Sequence, residues 1–312
     1  TSAIGSIDGV VRITDYTTAL SVGAEVIVDL GGTAATDAWY DVEWCTRRGF
    51  PSSVAFAEGR LGWAGKDSLK LSVSDSFTSY DDEVVGDSGT ISRTIGSGPV
   101  DTIAWMVAAR RLLLGGEGAE FSCRSSSEDE PLTPSNAHLK SFTTQGSAAV
   151  GAIKLDSSAI FVQEGGVRLF EAAFGEGYEY ESNDLTSFYP EAGSSPFTHI
   201  AVQRKPDTRI HCVRTDGDVS ILLSNKTEGV SCWITYSSGG TVEDVVVVPG
   251  SSGDGEDAVY YVINRTVNGS TVRYLEKWSL ESQCQGGTIS RQVDSHVIYS
   301  VAATTLTGLD HL

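Results

Sequence analysis

The chain has 312 residues, 40% apolar and 20% charged, a balance that marks a globular protein and excludes a disordered one. Its 22 basic residues stand against 41 acidic ones, for a formal charge of −19. That excludes the broad basic face with which a nucleic-acid binder releases counterions. No apolar run approaches the ~20 residues of a membrane-spanning helix.

Residues 1–50 hold three strand-like runs, VVRITDY from Val10, AEVIVDL from Ala24 and AWYDVEW from Ala38. Asp8-Gly9 and Gly31-Gly32 punctuate them, because turns favour residues that tolerate positive φ. The opening residues carry no basic region followed by an apolar core, so no secretory signal is expected. The chain lacks an initiator Met and has one Met in all, and it is expected to be a piece of a longer protein.

Residues 54–65, VAFAEGRLGWAG, combine a short apolar run, a polar turn and a second apolar run. The same shape returns from Ile103 (IAWMVAARRLLLGG), Ile153 (IKLDSSAIFVQ), Ile200 (IAVQRKPDTRIHCVR) and Val245 (VVVVPGSSGDGEDAVYYVI). The second runs begin at Leu61, Leu112, Ala159, Ile210 and Val259, at intervals of 51, 47, 51 and 49 residues. Strand units recurring at roughly 40–50 residues are the mark of a β-propeller or a similar array. One strand pair is marginal in water, whereas stacked pairs bury each other's apolar faces. The fold class expected is therefore all-β, a β-propeller-like array of about five or more blades with a period near 49 residues. It covers residues 38–312, after N-terminal strands in residues 1–37.

Within this frame LKLSVSD from Leu69 reads as a third strand, and the glycine-rich stretch after it as a long loop with a short hairpin. IAWMV, LLLG and AEFSC follow, and Leu112–Leu114 is too short and glycine-bounded for a helix. Residues 125–136, SSSEDEPLTPSN, read as a surface excursion before HLKSF. AIFVQ and VRLFEAAF then give way to an aromatic, acidic stretch at residues 177–197 without clean alternation. The next unit is the most regular, with IAVQ, IHCVR, VSILL and CWITY; the last gives VVVV, VYYVINR and VRYLEKW. The run at residues 38–44 resembles CWITY, as though it closed a ring with material near the C-terminus, where HVIYSVAATTL begins another strand or two.

The residues that carry chemistry are sparse. Cys45, Cys123, Cys212, Cys232 and Cys284 are scattered, odd in number and without a C-x-x-C pair, which argues against both a disulfide framework and a zinc site. Cys123, Cys212 and Cys232 lie in apolar runs, where a thiol acts as a small hydrophobe. His138, His199, His211, His296 and His311 lack metal-binding spacing, although His199 and His211 are candidates for neighbours across a hairpin. No catalytic, cofactor-binding or metal residue is assigned. The strongest enzyme case is paired loop acids (Asp81-Asp82-Glu83, Glu128-Asp129-Glu130, Glu179 with Glu181), because glycosidases need two carboxylates across a sugar. Tyr178, Tyr180 and Phe197 are the aromatics that would stack on that sugar, though packing between blades explains them better. Asn225, Asn264 and Asn268 fit the glycosylation pattern and, without a signal, read as chance matches.

Several stretches resemble one family. GFPSSVAFAEGRLGWAG is similar to the G-[YF]-P-x-x-V-x-F-x-x-x-R-L-x-[WF]-A-G element of the tail tubular, or nozzle, proteins of short-tailed bacteriophages. VDTIAWMVAARRLLLGGEGAEFSC, PLTPSNAHLKSFTTQGSA, IFVQEGGVRLFEAAFGEGYEYESNDLT, VRTDGDVSILLSNKTEGVSCWI, VRYLEKW and TGLDHL match the same family in order. VSDSFTSY matches with departures. The resemblance runs from about Trp39 to Leu312, and none of its motifs is catalytic.

It implies a structural virion protein of the phage tail, assembled in the host cytoplasm, and no enzyme. Six copies would ring the lower tail and line the DNA exit channel, with tail adaptor and tail fibre proteins as partners. DNA would pass without specific binding, held off an acidic wall by like-charge repulsion within a Debye length of ~8 Å. The alternative is a propeller that binds or cleaves host-surface polysaccharide.

Overall fold

The computed structural model describes residues 9–34, 44–46, 49–82, 84–96, 102–125, 130–175, 177–251, 255–280, 301 and 304–305. The chain divides into two compact units, Thr1–Arg48 and Gly49–Leu312.

The first unit carries one antiparallel hairpin, β1 (Val10–Thr18) and β2 (Ser21–Val28). Val11 pairs with Val26 and Ile13 with Ala24 on one face, while Arg12 pairs with Glu25 on the other. These are the runs expected from Val10 and Ala24. The strand expected at residues 38–44 lies outside the described residues except for Trp44, and so does most of the tail from His296.

Among the described residues the second unit has five antiparallel sheets in sequence order. The first has β3 (Ser53–Ala57), β4 (Arg60–Gly65), β5 (Ser68–Leu71) and β6 (Ile91–Thr94). The second has β7 (Ile103–Ala108), β8 (Leu112–Gly116), β9 (Glu120–Arg124) and β10 (His138–Thr143). The third has β11 (Ile153–Leu155), β12 (Ser158–Val162), β13 (Leu169–Phe174) and β14 (Tyr180–Asp184). The fourth has β15 (Phe197–Gln203), β16 (Arg209–Arg214), β17 (Val219–Asn225) and β18 (Val230–Tyr236). The fifth has β19 (Thr241–Val248), β20 (Ala258–Val267) and β21 (Ser270–Lys277).

Each sheet is a meander in which neighbours in sequence are neighbours in space. Its first strand packs on the first strand of the next sheet, from β3 through β7, β11 and β15 to β19. The expected second runs are β4, β8, β12, β16 and β20, so the interval read in the sequence is the spacing of sheets. The architecture is an all-β, β-propeller-like array. One short 3-10 turn (Pro190–Gly193) is the helical segment among the described residues, and no helix there is long and apolar enough to cross a membrane.

Four buried clusters fill the four junctions between successive sheets. Leu71, Ile91, Met106 and Leu114 join the first two sheets. Trp105, Phe161 and Phe170 join the second to the third, with ring centroids 5.4 and 5.8 Å apart. Ile160, Leu169, Ile210 and Leu222 form the third junction, and Val213, Ile221, Val259 and Tyr261 the fourth. Strands buried on both faces, such as β8 and β12, read as the continuous apolar runs LLL and AIFV, whereas a strand with one wet face alternates.

Three sequence expectations need correction. The loop with a short hairpin after Leu71 contains β6, the outer strand of the first sheet, paired Leu71 to Ile91. An edge strand of four residues has too little buried face to show a pattern. Residues 131–136 are a clamp more than a surface excursion. Leu132 is buried and its N–H donates to Glu58 at 2.6 Å, while the Arg93 guanidinium donates to the carbonyls of Ala137, at 2.7 Å, and Pro134. The segment therefore ties the second sheet to the first. Cys232 is exposed on the outer strand β18, whereas Cys123 and Cys212 are buried as expected.

Candidate functional site

Of the acids that could flank a sugar, Glu179 is the most organised. It sits in the turn between β13 and β14, where Oε1 lies 2.8 Å from both Arg124 and Lys140 and Oε2 lies 3.8 Å from Arg111. The Arg110 and Arg111 guanidiniums lie 4.4 and 5.0 Å from the Phe174 ring centroid, within cation–π range. The hydrogen bond from Lys140, opposed by partial burial and aided by the Arg124 charge, holds Glu179 below the usual carboxylate range. A glycosidase acid needs the reverse shift, so that it still carries its proton near neutral pH. Glu179 is an ionised tie between the second and third sheets.

The other candidate acids are exposed or lie outside the described residues. Glu181 is exposed on β14, Asp81 and Asp82 are exposed, and Asp82 accepts a hydrogen bond from Thr90 at 2.8 Å. Glu130 is exposed, while Glu83, Glu128 and Asp129 lie outside the described residues. Tyr180 and Phe197 are buried in junction clusters, 2% and 3% exposed, and Tyr178 at 62% is the one of the three aromatics open to solvent. Asn225, Asn264 and Asn268 fall at the end of β17, within β20 and in the β20–β21 turn.

Among the described residues the histidines are not brought together as a ligand set; His296 and His311 lie outside those residues. His211 pairs with Ala201 and His199 with Val213, so the two are diagonal on one face of the β15–β16 ladder. His199 is half-exposed, 4.0 Å from Asp244. His211 is fully buried between the fourth and fifth sheets, with Nδ1 2.7 Å from Tyr261 Oη and Nε2 3.2 Å from Gln203 Oε1. The Gln203 amide nitrogen donates to the Lys205 carbonyl at 2.7 Å, which fixes its oxygen toward the imidazole. Nε2 therefore carries the proton, and Nδ1 accepts from the tyrosine hydroxyl. Burial, and then the Arg209 charge, lower the His211 pKa to about 3. Tyr236, Tyr261 and Trp278 stack beside the imidazole, with centroids 5.7 to 5.9 Å apart.

Next to this group Asp257 accepts from the backbone N–H groups of Arg204, Lys205 and Gly250 at 2.8, 2.9 and 3.0 Å. Burial works against its ionised form, but those three donors outweigh it and lower its pKa. The cavity beside Asp257, Gln203, Arg209 and Trp278 measures about 10 Å³, room for one water and not for a sugar ring.

Sequence reasoning missed these ties. Gln203, His211, Asp257 and Tyr261 come from two repeats, and spacing does not reveal which of their residues meet. Arg60 was missed as well, although it stands in the first repeat. It is buried and donates to the carbonyls of Ser72 at 2.7, Asp87 at 2.7, Gly89 at 2.5 and Ser88 at 3.4 Å. Its visible signal was a charged residue opening an otherwise apolar strand. Among the described residues no group of three or more His, Cys, Asp or Glu is arranged to hold a metal ion. Among the described residues these polar groups converge on one another and on backbone, His211 with Tyr261 at the joint between the fourth and fifth sheets and Arg60 within the first.

No protein-family model matches the sequence, and no curated protein matches it. Among solved structures the chain is similar to the β-propeller domain of Cps50 (Swd1) from Myceliophteria thermophila, over 72% of this chain and 72% of that one. The TM-score is 0.44 and the identity 8%.

Proposed function

We propose that this chain is the propeller portion of a tail nozzle subunit of a short-tailed bacteriophage, a structural protein of the virion. The observation that carries the reading is where the residues of the resembling stretches sit. In GFPSSVAFAEGRLGWAG, Arg60 pins the loop up to Gly89, and Gly65 lets the chain at Pro51 approach. In PLTPSN, Leu132 and Asn136 build the clamp onto the first sheet. In VRTDGDVS, Arg214 lies 2.9 and 3.1 Å from Asp216 and Asp218 across the β16–β17 turn. These are the residues of a scaffold, and none of them is held ready for a substrate.

The charge of −19 supports the same reading, since an acidic conduit lets a polyanion slide without sticking. On this reading the chain acts in a homo-oligomeric ring, six copies by resemblance, between a tail adaptor and tail fibres. The polysaccharide alternative is supported less well, because two of its three candidate aromatics are buried and Glu179 shifts in the wrong direction.

Immunoblotting of purified tailed particles with an antibody against this chain tests the proposal. The expected result is a band at a constant ratio to the major capsid protein through repeated purification. Loss of the chain from intact particles would overturn it.

A further inference from the structure

The chain has five asparagines, Asn136, Asn183, Asn225, Asn264 and Asn268, and Asn268 alone is followed by glycine. Asn268 and Gly269 are the two residues of the β20–β21 turn, between the paired Val267 and Ser270. Their φ values are +49° and +76°, as a tight hairpin turn with positive φ at both central residues requires. Both residues are exposed. A Cβ built on Gly269 meets nothing within 4 Å, so the space around the peptide bond that joins them is open. Among the described residues neither the Asn268 amide nor the Gly269 N–H makes a hydrogen bond.

The other asparagines are engaged. Asn136 Oδ1 accepts from the Thr133 N–H at 2.7 Å, and its amide nitrogen donates to the Pro131 carbonyl at 3.0 Å. Asn225 Oδ1 accepts from the Glu228 N–H, and the Asn264 amide donates to Glu243, both at 3.1 Å. Asn183 lies inside β14, where the ladder with β13 holds its backbone extended. The Asp216-Gly217 turn, open in principle to the same chemistry, is also held. Its carboxylate accepts from Arg214 Nε and from the Asp218 N–H, and the Gly217 N–H donates to the Arg214 carbonyl, each at 3.1 Å.

We propose that Asn268 is a site of spontaneous deamidation in the folded protein. Hydroxide takes the Gly269 amide proton, and the nitrogen left behind attacks Asn268 Cγ. A succinimide ring closes as the bond from Cγ to the side-chain nitrogen breaks, and that nitrogen leaves as ammonia. Water then opens the ring. Opening at Cγ gives aspartate; opening at the former backbone carbonyl gives isoaspartate, in which the chain runs through the side chain. The sum is amide plus water to carboxylate plus ammonium, with nothing oxidised or reduced. Attack requires Asn268 to rotate out of its turn conformation, and glycine, lacking a Cβ, is the neighbour that obstructs this least.

Isoaspartate adds a methylene to the backbone of a two-residue loop, and loop length sets hairpin register. The pairs Val267–Ser270 and Thr266–Thr271 are therefore expected to open. Deeper in the hairpin Arg265 holds Glu276 at 2.6 and 2.8 Å, and Ile263 is buried, so the sheet stays folded and the change stays at its tip. The reaction depends on the turn alone, whatever the place of the chain in a particle.

Trypsin cuts after Arg265 and Arg273, which isolates Asn268 in the peptide of residues 266–273. The folded chain is aged for weeks at neutral and mildly alkaline pH, then mapped by liquid chromatography and mass spectrometry. The expected result is progressive loss of the unmodified peptide into two products of acid mass, the isoaspartyl form in excess, faster at the higher pH. Peptides carrying the other four asparagines are expected to stay unchanged over the same time. Asn268→Gln, whose longer side chain closes the ring poorly, is expected to keep its peptide intact. In the aged protein, amide exchange is expected to quicken at Thr266–Thr271 while Ile263 stays protected. A peptide that remains intact in the folded protein and reacts only in urea overturns the proposal. So does another asparagine that reacts as fast, and exchange at the tip that is unchanged after conversion refutes the opening.

Discussion

Arg60 is 2% exposed, and its guanidinium donates to four carbonyls between Ser72 and Gly89. Removing it strands those acceptors, and an unsatisfied buried polar group costs about 1–3 kcal/mol. Arg60→Met is therefore expected to lower unfolding stability by about 3 kcal/mol or more, read from the urea midpoint, with Arg60→Lys in between. A loss below about 1 kcal/mol would show that the loop holds itself. His211 makes a different prediction. Its folded pKa is about 3 against an ordinary 6.5, so on acidification the unfolded chain takes up a proton that the folded protein refuses. The stability present above pH 6.5 falls as pH drops from 6.5 toward 3, by about 1.4 kcal/mol per pH unit inside that window. Glu179, Asp257 and Asp216 also have lowered values, but as carboxylates they act nearer the acid end of the window. His211→Gln, which does not titrate, is expected to flatten the slope between pH 5 and 6 in urea unfolding. A slope unchanged by the substitution would place the proton elsewhere.

At the scale of elements, the sheets were legible where burial on both faces writes a continuous apolar run between turn residues. AIFV and VSILL became β12 and β17. The edge strands were harder to read. ISRT at β6 and YESND at β14 each have one open edge, and each has a single fully buried side chain, Ile91 and Tyr180, to mark its inner face. The clamp at residues 131–136 was opaque for a different reason. Proline, serine and an acidic cluster are what a loop on water would also carry, and only Leu132 among them is apolar. Gly65 shows what the closing glycine of the first repeat is for. A Cβ there would stand 2.7 Å from the Pro51 Cα and 2.9 Å from the Phe50 carbonyl, backbone atoms that cannot move aside cheaply. Gly65→Ala is expected to cost about 2 kcal/mol or more in thermal or urea unfolding, and a neutral substitution would mean that the entry to β3 shifts freely.

At the scale of the molecule, the interval near 49 residues reported the spacing and order of the sheets among the described residues, because each unit can bury its faces only against the next. The ties across the junctions, His211 to Tyr261 and Glu171 to Lys226, were not legible. They depend on which residues two repeats bring into contact, and a period carries no such information. The interval was equally silent on the faces beyond the first and fifth sheets. At this scale the described residues form a series of sheets, several of them tied across their joints by buried polar groups such as His211 and Tyr261, in a chain whose surplus charge is acidic. The most direct measurement is electron cryo-microscopy of the tailed particle, with the five-sheet array fitted into the density. The account predicts several copies arranged as a ring about the tail axis, below the capsid and above the tip. Density for the array only at fibre ends or in the capsid shell, or for no such array anywhere in the particle, would contradict it.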